Sequence, residues 1–331
     1  MIRWMLSLQL LTLINTIDAT LFGQRFYEST LNSRLSLANN HIKNLLVPFN
    51  VTRTPGSTES LKVQNFIEDH FENLENDWLF EPNQFFSNGF NFTNMVFTLG
   101  HNASSYLVLA AHYDSKLVPP GFIGAIDSAA SCSILLYIAE FIDNFYTEFQ
   151  SVEQTSFLTE STGLKIVFFD GEEAINEWSV DDSIYGAKNL AALWEEDGTL
   201  PKLESLILLD LLGSVEDVKV PSYFARSSTE YQMLLAIEAE NQNILPYKHT
   251  LFDNLDKRFQ DYDGILIEDD HLPFLAYGIP VLHLIPVPFP SCWHTLNDTF
   301  DNLDEPKIQN WALLLCEFLS LRMRMSLRDP F

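Results

Sequence analysis

The chain has 331 residues, which suits one large α/β domain or two small ones with ample core. Hydrophobic residues make up 47% of it, which excludes a disordered protein. Its 45 acids against 19 bases give a formal net charge of −26. That charge argues against nucleic acid as a partner and favours encounter with cationic peptides or metal ions.

Residues 1–19 carry one base, Arg3, then an apolar stretch of signal-peptide length ending in Ile17-Asp18-Ala19, an acceptable cleavage site. Ser7, Gln9 and Thr12 break the stretch, which argues against a stable membrane span, and no later stretch reads as a transmembrane helix. Residues 20–331 show no internal repeat and no domain boundary, so a single catalytic domain is expected. Acceptor triplets for N-glycosylation begin at Asn50, Asn91, Asn102 and Asn297. With a signal-like start they point to the secretory pathway, to a protein either secreted or retained in the Golgi. Three cysteines, Cys132, Cys292 and Cys316, are too few for a disulfide scaffold.

Residues 28–75 read as two amphipathic helical segments around a turn at Arg53-Thr54-Pro55-Gly56-Ser57. Residues 94–99 and 106–111 read as strands, separated by Gly100-His101-Asn102. Residues 127–142 are apolar almost all round, which predicts a buried helix opened by Asp127. A polar loop over 148–163 leads into an apolar strand, 164–169, which stops abruptly at Asp170, Gly171, Glu172 and Glu173. A helix near 184–194, a strand over 205–212 and a helix near 230–241 follow. A polar segment, a strand over 279–285, a proline-rich loop and a closing helix over 306–325 complete the chain. Strands alternating with helices imply an α/β fold with a doubly wound, mostly parallel central sheet flanked by helices.

Polar residues recur at the predicted strand ends, where open α/β sheets bind ligands. His112, Asp127, Glu172, Glu173, Asp210 and His294 all fall there. Clustered carboxylates repel one another unless a cation or shared protons compensate, and imidazole with carboxylate suits zinc. Taken singly, each has a plainer reading. Asp127 serves as well for a helix N-cap, and Glu172 and Glu173 for the first turn of a helix. Asp210 also suits a buried, hydrogen-bonded carboxylate within an apolar strand, and the histidines suit satisfied core residues.

The joint set of motifs resembles a family. His112-Tyr113-Asp114-Ser115-Lys116, Gly124-Ala125-Ile126-Asp127-Ser128-Ala129, Phe168-Phe169-Asp170-Gly171-Glu172-Glu173-Ala174 and Leu208-Leu209-Asp210-Leu211-Leu212-Gly213 occur in order. Asp269-Asp270-His271-Leu272-Pro273-Phe274, Val281-Leu282-His283-Leu284-Ile285-Pro286 and Pro288-Phe289-Pro290 with Trp293-His294-Thr295 continue the series. From about residue 30 onwards the chain resembles the animal-type glutaminyl-peptide cyclotransferases, or glutaminyl cyclases, within the zinc aminopeptidase-like fold family. The resemblance implies one zinc held by Asp127, Glu173 and His294, with a fourth position open for substrate. It implies Glu172 as proton shuttle, with Asp210 and Asp269 in the hydrogen-bond network beside it. It implies His112 and His283 as supporting histidines, and Trp178, Phe289 and Trp293 as the aromatic walls of the pocket. For those aromatics plain core packing is the competing reading, most of all at Phe289. The implied substrates are peptides and proteins with N-terminal glutamine, and the expected form is a monomer.

The chain departs from the family at three places. Ala111 stands where a cysteine is common, so Cys132 is expected to be unpaired. The loop from Lys116 to Gly124 is short and holds Pro119-Pro120-Gly121. Glu268 replaces an expected glutamine. The competing expectation is a secreted two-zinc aminopeptidase using His112, Asp127, Glu172, Glu173, Asp210 and His294, with Asp127 bridging two ions.

Overall fold

The computed structural model describes residues 22–38, 42–152, 162–253 and 267–328. The segment 1–19 assigned as a signal peptide lies outside them. Among the described residues six strands form one sheet: β1 (Leu79–Ser87), β2 (Phe90–Leu99), β3 (Ser105–His112), β4 (Thr162–Phe169), β5 (Leu203–Leu209) and β6 (Val281–Leu284). Seven α-helices among the described residues pack around it: α1 (22–34), α2 (Thr58–Glu72), α3 (Ala130–Val152), α4 (Tyr185–Glu196), α5 (Ser228–Glu240), α6 (Leu272–Ala276) and α7 (Glu305–Arg328).

The strand order is β1-β2-β4-β3-β5-β6. β4, β3, β5 and β6 run parallel, while β1 and β2 form an antiparallel hairpin whose second strand pairs antiparallel with β4. Side chains on successive strand residues point to opposite faces, and both faces are covered. Leu107, Leu109 and Ala111 of β3 join Ile166 and Phe168 of β4 in the core shared with α3 and α7. Val108, Ala110, Val167 and Phe169 face the other way, against Leu190 and Trp194 of α4 and Phe274 of α6. The sheet is therefore doubly wound. From β3 the chain crosses to β4 on one side and then returns past it to β5 on the other. That reversal opens a crevice at the carboxyl ends of β3, β4 and β5.

Several boundaries differ from expectation, each for a local reason. The hairpin strand β1 went unread because it is a half-exposed edge interrupted by Pro82, Asn83 and Gln84, so it carries no apolar run. Asp127 does not open α3. It sits in the preceding turn Ala125–Ala129 with φ −119° and ψ 72°, outside helical space, and the helix starts at Ala130. Helix α3 runs on to Val152, so the expected loop over 148–163 is shorter, and residues 153–161 lie outside the described ones. β5 stops at Leu209, which puts Asp210 just past the strand rather than inside it. Leu211 then takes φ 54°, an uncommon left-handed conformation for a non-glycine residue. The helix α6 was missed because it is one short turn with a proline in it. The segment Ala125–Glu148 does have the length and composition to cross a membrane, contrary to expectation, yet 94% of its most apolar window is buried inside the protein. It is a core helix.

Candidate active site

The turn before α3 is built around Gly124 and Asp127. Gly124 has φ 62°, and a Cβ there would lie 2.0 Å from the Asp127 carbonyl oxygen, so a side chain is excluded. Asp298 fixes the turn by accepting the Ile126 N–H at 2.8 Å on its carboxylate. The Asp127 side chain thereby points to the crevice, with Oδ1 3.0 Å from His112 Nε2 at the end of β3. Burial and the charge of Glu173 raise the Asp127 carboxyl to about 6.

After β4 the chain turns at Gly171 (φ 72°), and a Cβ there would press to 2.4 Å from the Phe92 ring. Residues 172 and 173 are not helical, because α4 begins only at Tyr185. Their backbone N–H groups are both taken by Asp114: Glu172 N–H donates to Oδ1 at 3.1 Å and Glu173 N–H to Oδ2 at 3.2 Å. One carboxylate thus sets the directions of two others. Glu173 Oε2 pairs with Lys116 Nζ at 2.8 Å, and its Oε1 lies 3.3 Å from His294 Nε2. Burial works to raise Glu173, but His294 and Lys116 outweigh it and hold the carboxyl below the ordinary glutamate range. Glu172 has no such partners. Burial and the charges of Glu173, Asp269 and Asp270 push it well above the ordinary range, against the opposing effect of His112.

His294 arrives from the loop after β6, with φ 55°, and its Nε2 lies 3.5 Å from Asp127 Oδ2. Backbone outliers of this kind gather at functional sites. Asp127, Glu173 and His294 each offer one donor atom within 4.8 Å of the others. Asp127 Oδ2 and Glu173 Oε1 are buried and have no hydrogen-bond partner, which is costly for carboxylate oxygens unless a cation sits between them. Two carboxylates, one imidazole and an open side toward solvent fit a catalytic zinc.

Around this centre lie two further groups. His112 Nε2 also lies 3.4 Å from Asp210 Oδ1, and its Nδ1 lies 3.4 Å from Asp114 Oδ1. Burial works to lower His112, but the carboxylates of Asp114, Asp127 and Asp210 around it outweigh that and raise the ring well above the usual histidine range. Asp269 Oδ2 bonds His283 Nε2 at 2.6 Å, and burial lowers His283 to about 4, so that ring is neutral. Neither Asp210 nor Asp269 hydrogen-bonds the Glu172 carboxyl, which faces the cleft without a partner among the described residues.

The cleft above encloses about 460 Å³ and is lined by Asp127, Glu172, Asp210 and His294 together with Trp178, Phe289 and Trp293. Trp293 stacks on His294 at 3.9 Å between ring centroids and meets Phe289 edge-on at 4.8 Å. All three predicted wall residues line the cleft, and Trp178 and Phe289 also pack against the core beneath it.

A protein-family model for peptidase family M28 matches residues 94–319. An uncharacterized Saccharomyces cerevisiae protein is 49% identical over 316 residues, covering 86% of this chain and 85% of its own. The glutaminyl-peptide cyclotransferase of Drosophila melanogaster is 37% identical over 306 residues, covering 88% of this chain and 82% of that one. The crystal structure of Macrostomum lignano glutaminyl cyclase superposes with a TM-score of 0.73 at 32% identity, covering 87% of this chain and 89% of that one. The chain belongs to the glutaminyl-peptide cyclotransferases of peptidase family M28.

For a member of that family, the departures have visible consequences. Cys132 is unpaired, as are Cys292 and Cys316, and its Sγ donates to the His112 carbonyl at 3.1 Å. Glu268 accepts the Trp178 indole N–H at 2.6 Å, so its side chain, not only its backbone, reaches the pocket wall. Sequence reasoning passed over Asp114, Lys116 and Arg53. The first two sit inside a quoted motif beside His112, which was a usable signal. Arg53 gave none, because its partners are backbone carbonyls.

Proposed function

We propose that this chain is a zinc-dependent cyclotransferase that converts N-terminal glutamine of peptides and proteins to pyroglutamate with release of ammonia. The observation that carries it is the convergence of two orphaned carboxylate oxygens, from Asp127 and Glu173, on His294, beside an unpartnered Glu172 in an aromatic-walled cleft. When bound by Asp127, Glu173 and His294, zinc supplies Lewis-acid polarisation of the substrate γ-carbonyl and charge for the developing oxyanion. Trp178, Phe289 and Trp293 hold the flexible side chain folded, so that the α-amine lies within reach of the γ-carbon. Glu172 accepts the proton that the attacking amine releases and returns it to the departing amide nitrogen. A carbon–nitrogen bond forms in the ring as the old one breaks, and ammonia leaves. Asp210 with His112, and Asp269 with His283, are positioning residues for this machinery.

A two-zinc aminopeptidase would place a second ion among His112, Asp127 and Asp210. Their donor atoms also lie within 4.8 Å of one another, but Asp127 Oδ1 is already hydrogen-bonded to His112 at 3.0 Å, which favours the one-zinc reading. Zinc per chain by elemental analysis, ammonia release from glutaminyl peptides and hydrolysis of a leucine amide separate the two. One zinc with ammonia is the expected result, and two zincs with amide hydrolysis would overturn it.

Residues 20–331 are read as one catalytic domain acting as a monomer in the secretory pathway, secreted or Golgi-retained. Asn50, Asn91, Asn102 and Asn297 are all exposed, as glycan attachment would need.

A further inference from the structure

Glu268 stands exposed at the lip of the cleft and shares its wall with Trp178 and Ile267. Its Oε2 is held by the Trp178 indole N–H at 2.6 Å, which ties the segment before α6 to the loop after β4. The carboxylate is therefore aimed rather than swinging freely, and its second oxygen is left over. No cation among the described residues forms an ion pair with Glu268, although Lys188 lies close enough to feel its charge. Lys116, the lysine on the cleft wall, is already engaged with Glu173 at 2.8 Å. A fixed negative charge with no ion-pair partner among the described residues thus lines the path from the proposed zinc ligands to solvent. A peptide with its first side chain down among Trp178, Phe289 and Trp293 must run its next residue out past this wall.

We propose that Glu268 selects peptides carrying lysine or arginine immediately after the N-terminal glutamine. The selection rests on the cyclase reading above and adds a charge preference to it. A partly exposed carboxylate attracts a cation weakly and repels an anion by a similar amount, so the two contributions together give a preference of about fivefold at low ionic strength. Salt narrows it, because both charges sit at the lip within reach of the ion atmosphere.

The test compares Gln-Lys-Ala with Gln-Glu-Ala as substrates for the parent and for E268Q. The amide oxygen of the variant can still accept the Trp178 N–H, so the substitution removes charge while keeping the tether. We expect kcat/KM to favour the lysine peptide about fivefold in the parent, and the ratio to fall below about twofold in E268Q and in the parent at high salt. An equal ratio in parent and variant overturns the assignment of Glu268. Tryptophan fluorescence titration with the same peptides reads the preference without turnover. If no glutaminyl peptide releases ammonia, the cyclase reading falls. The titration then still decides whether Glu268 discriminates by charge.

Discussion

Glu172 and Glu173 are neighbours in the chain, share Asp114 as their backbone anchor, and yet differ in what they can do. Glu173 is pinned by Lys116 on one oxygen and turns its other, unbonded oxygen toward His294, whereas Glu172 keeps its carboxyl free at the cleft. The substitution E172Q should therefore retain zinc while lowering turnover by about a hundredfold or more, the usual loss for a positioned acid–base group. Near-normal turnover would remove the shuttle role. H294A should fail differently, by losing the metal, which elemental analysis reads directly. At this scale the sequence was informative because His112, Asp127, Glu172, Glu173, Asp210 and His294 recur together at the predicted strand ends, although each alone has a plainer reading. It was silent on Arg53. That side chain is fully buried and donates five hydrogen bonds to the carbonyls of Phe49, Val51, Tyr113, Ile123 and Gly124. Backbone carbonyls have no sequence signature, so such a clamp is visible only once the chain is folded.

Among elements, Arg53 joins the segment before α2 to the loop after β3 and to the turn that presents Asp127. Lysine cannot reproduce the five donors or their planar spread. R53K should cost about 2–4 kcal/mol in denaturant unfolding and weaken zinc retention, since the Gly124 carbonyl loses its anchor. Stability unchanged by R53K would mean that the clamp is incidental. Helix α2 meets α3 through His70, whose Nε2 lies 3.0 Å from the Leu136 carbonyl. Burial lowers this imidazole from 6.5 to about 4. The unfolded chain therefore takes up a proton that the folded one refuses, so His70 removes stability as pH falls through that window and is neutral above it. Its share is on the order of 2–3 kcal/mol. The variant H70N should lose that much less stability than the parent on acidification across the window, since other titrations are common to both. The elements themselves were legible where burial was two-sided, as in β3, β4 and α3. The edge strand β1 and the single-turn α6 were not, because solvent-facing or very short elements owe their form to neighbours rather than to an apolar pattern.

For the whole molecule, the three proposed zinc ligands come from the turn after β3, the loop after β4 and the loop after β6, so no local fragment contains the site. Metal binding is thereby coupled to the complete fold. With zinc at about a hundred times its Kd, binding adds about 2.7 kcal/mol, which for a chain of this length corresponds to a fall of about 4 °C in Tm on chelation. H294A should show no such dependence, and a parent Tm indifferent to chelator would count against the site. The net charge of −26 bears on encounter rather than on fold, favouring cationic peptides as they approach the cleft.

All three thiols are free and enclosed in the core, with burial raising Cys132 to about 12 and Cys292 to about 11. Thiols held that far from their reactive thiolate form are poor targets for oxidants and exchange reagents. The protein should consequently fold in a bacterial cytoplasm and tolerate dithiothreitol, with no crosslink to lose.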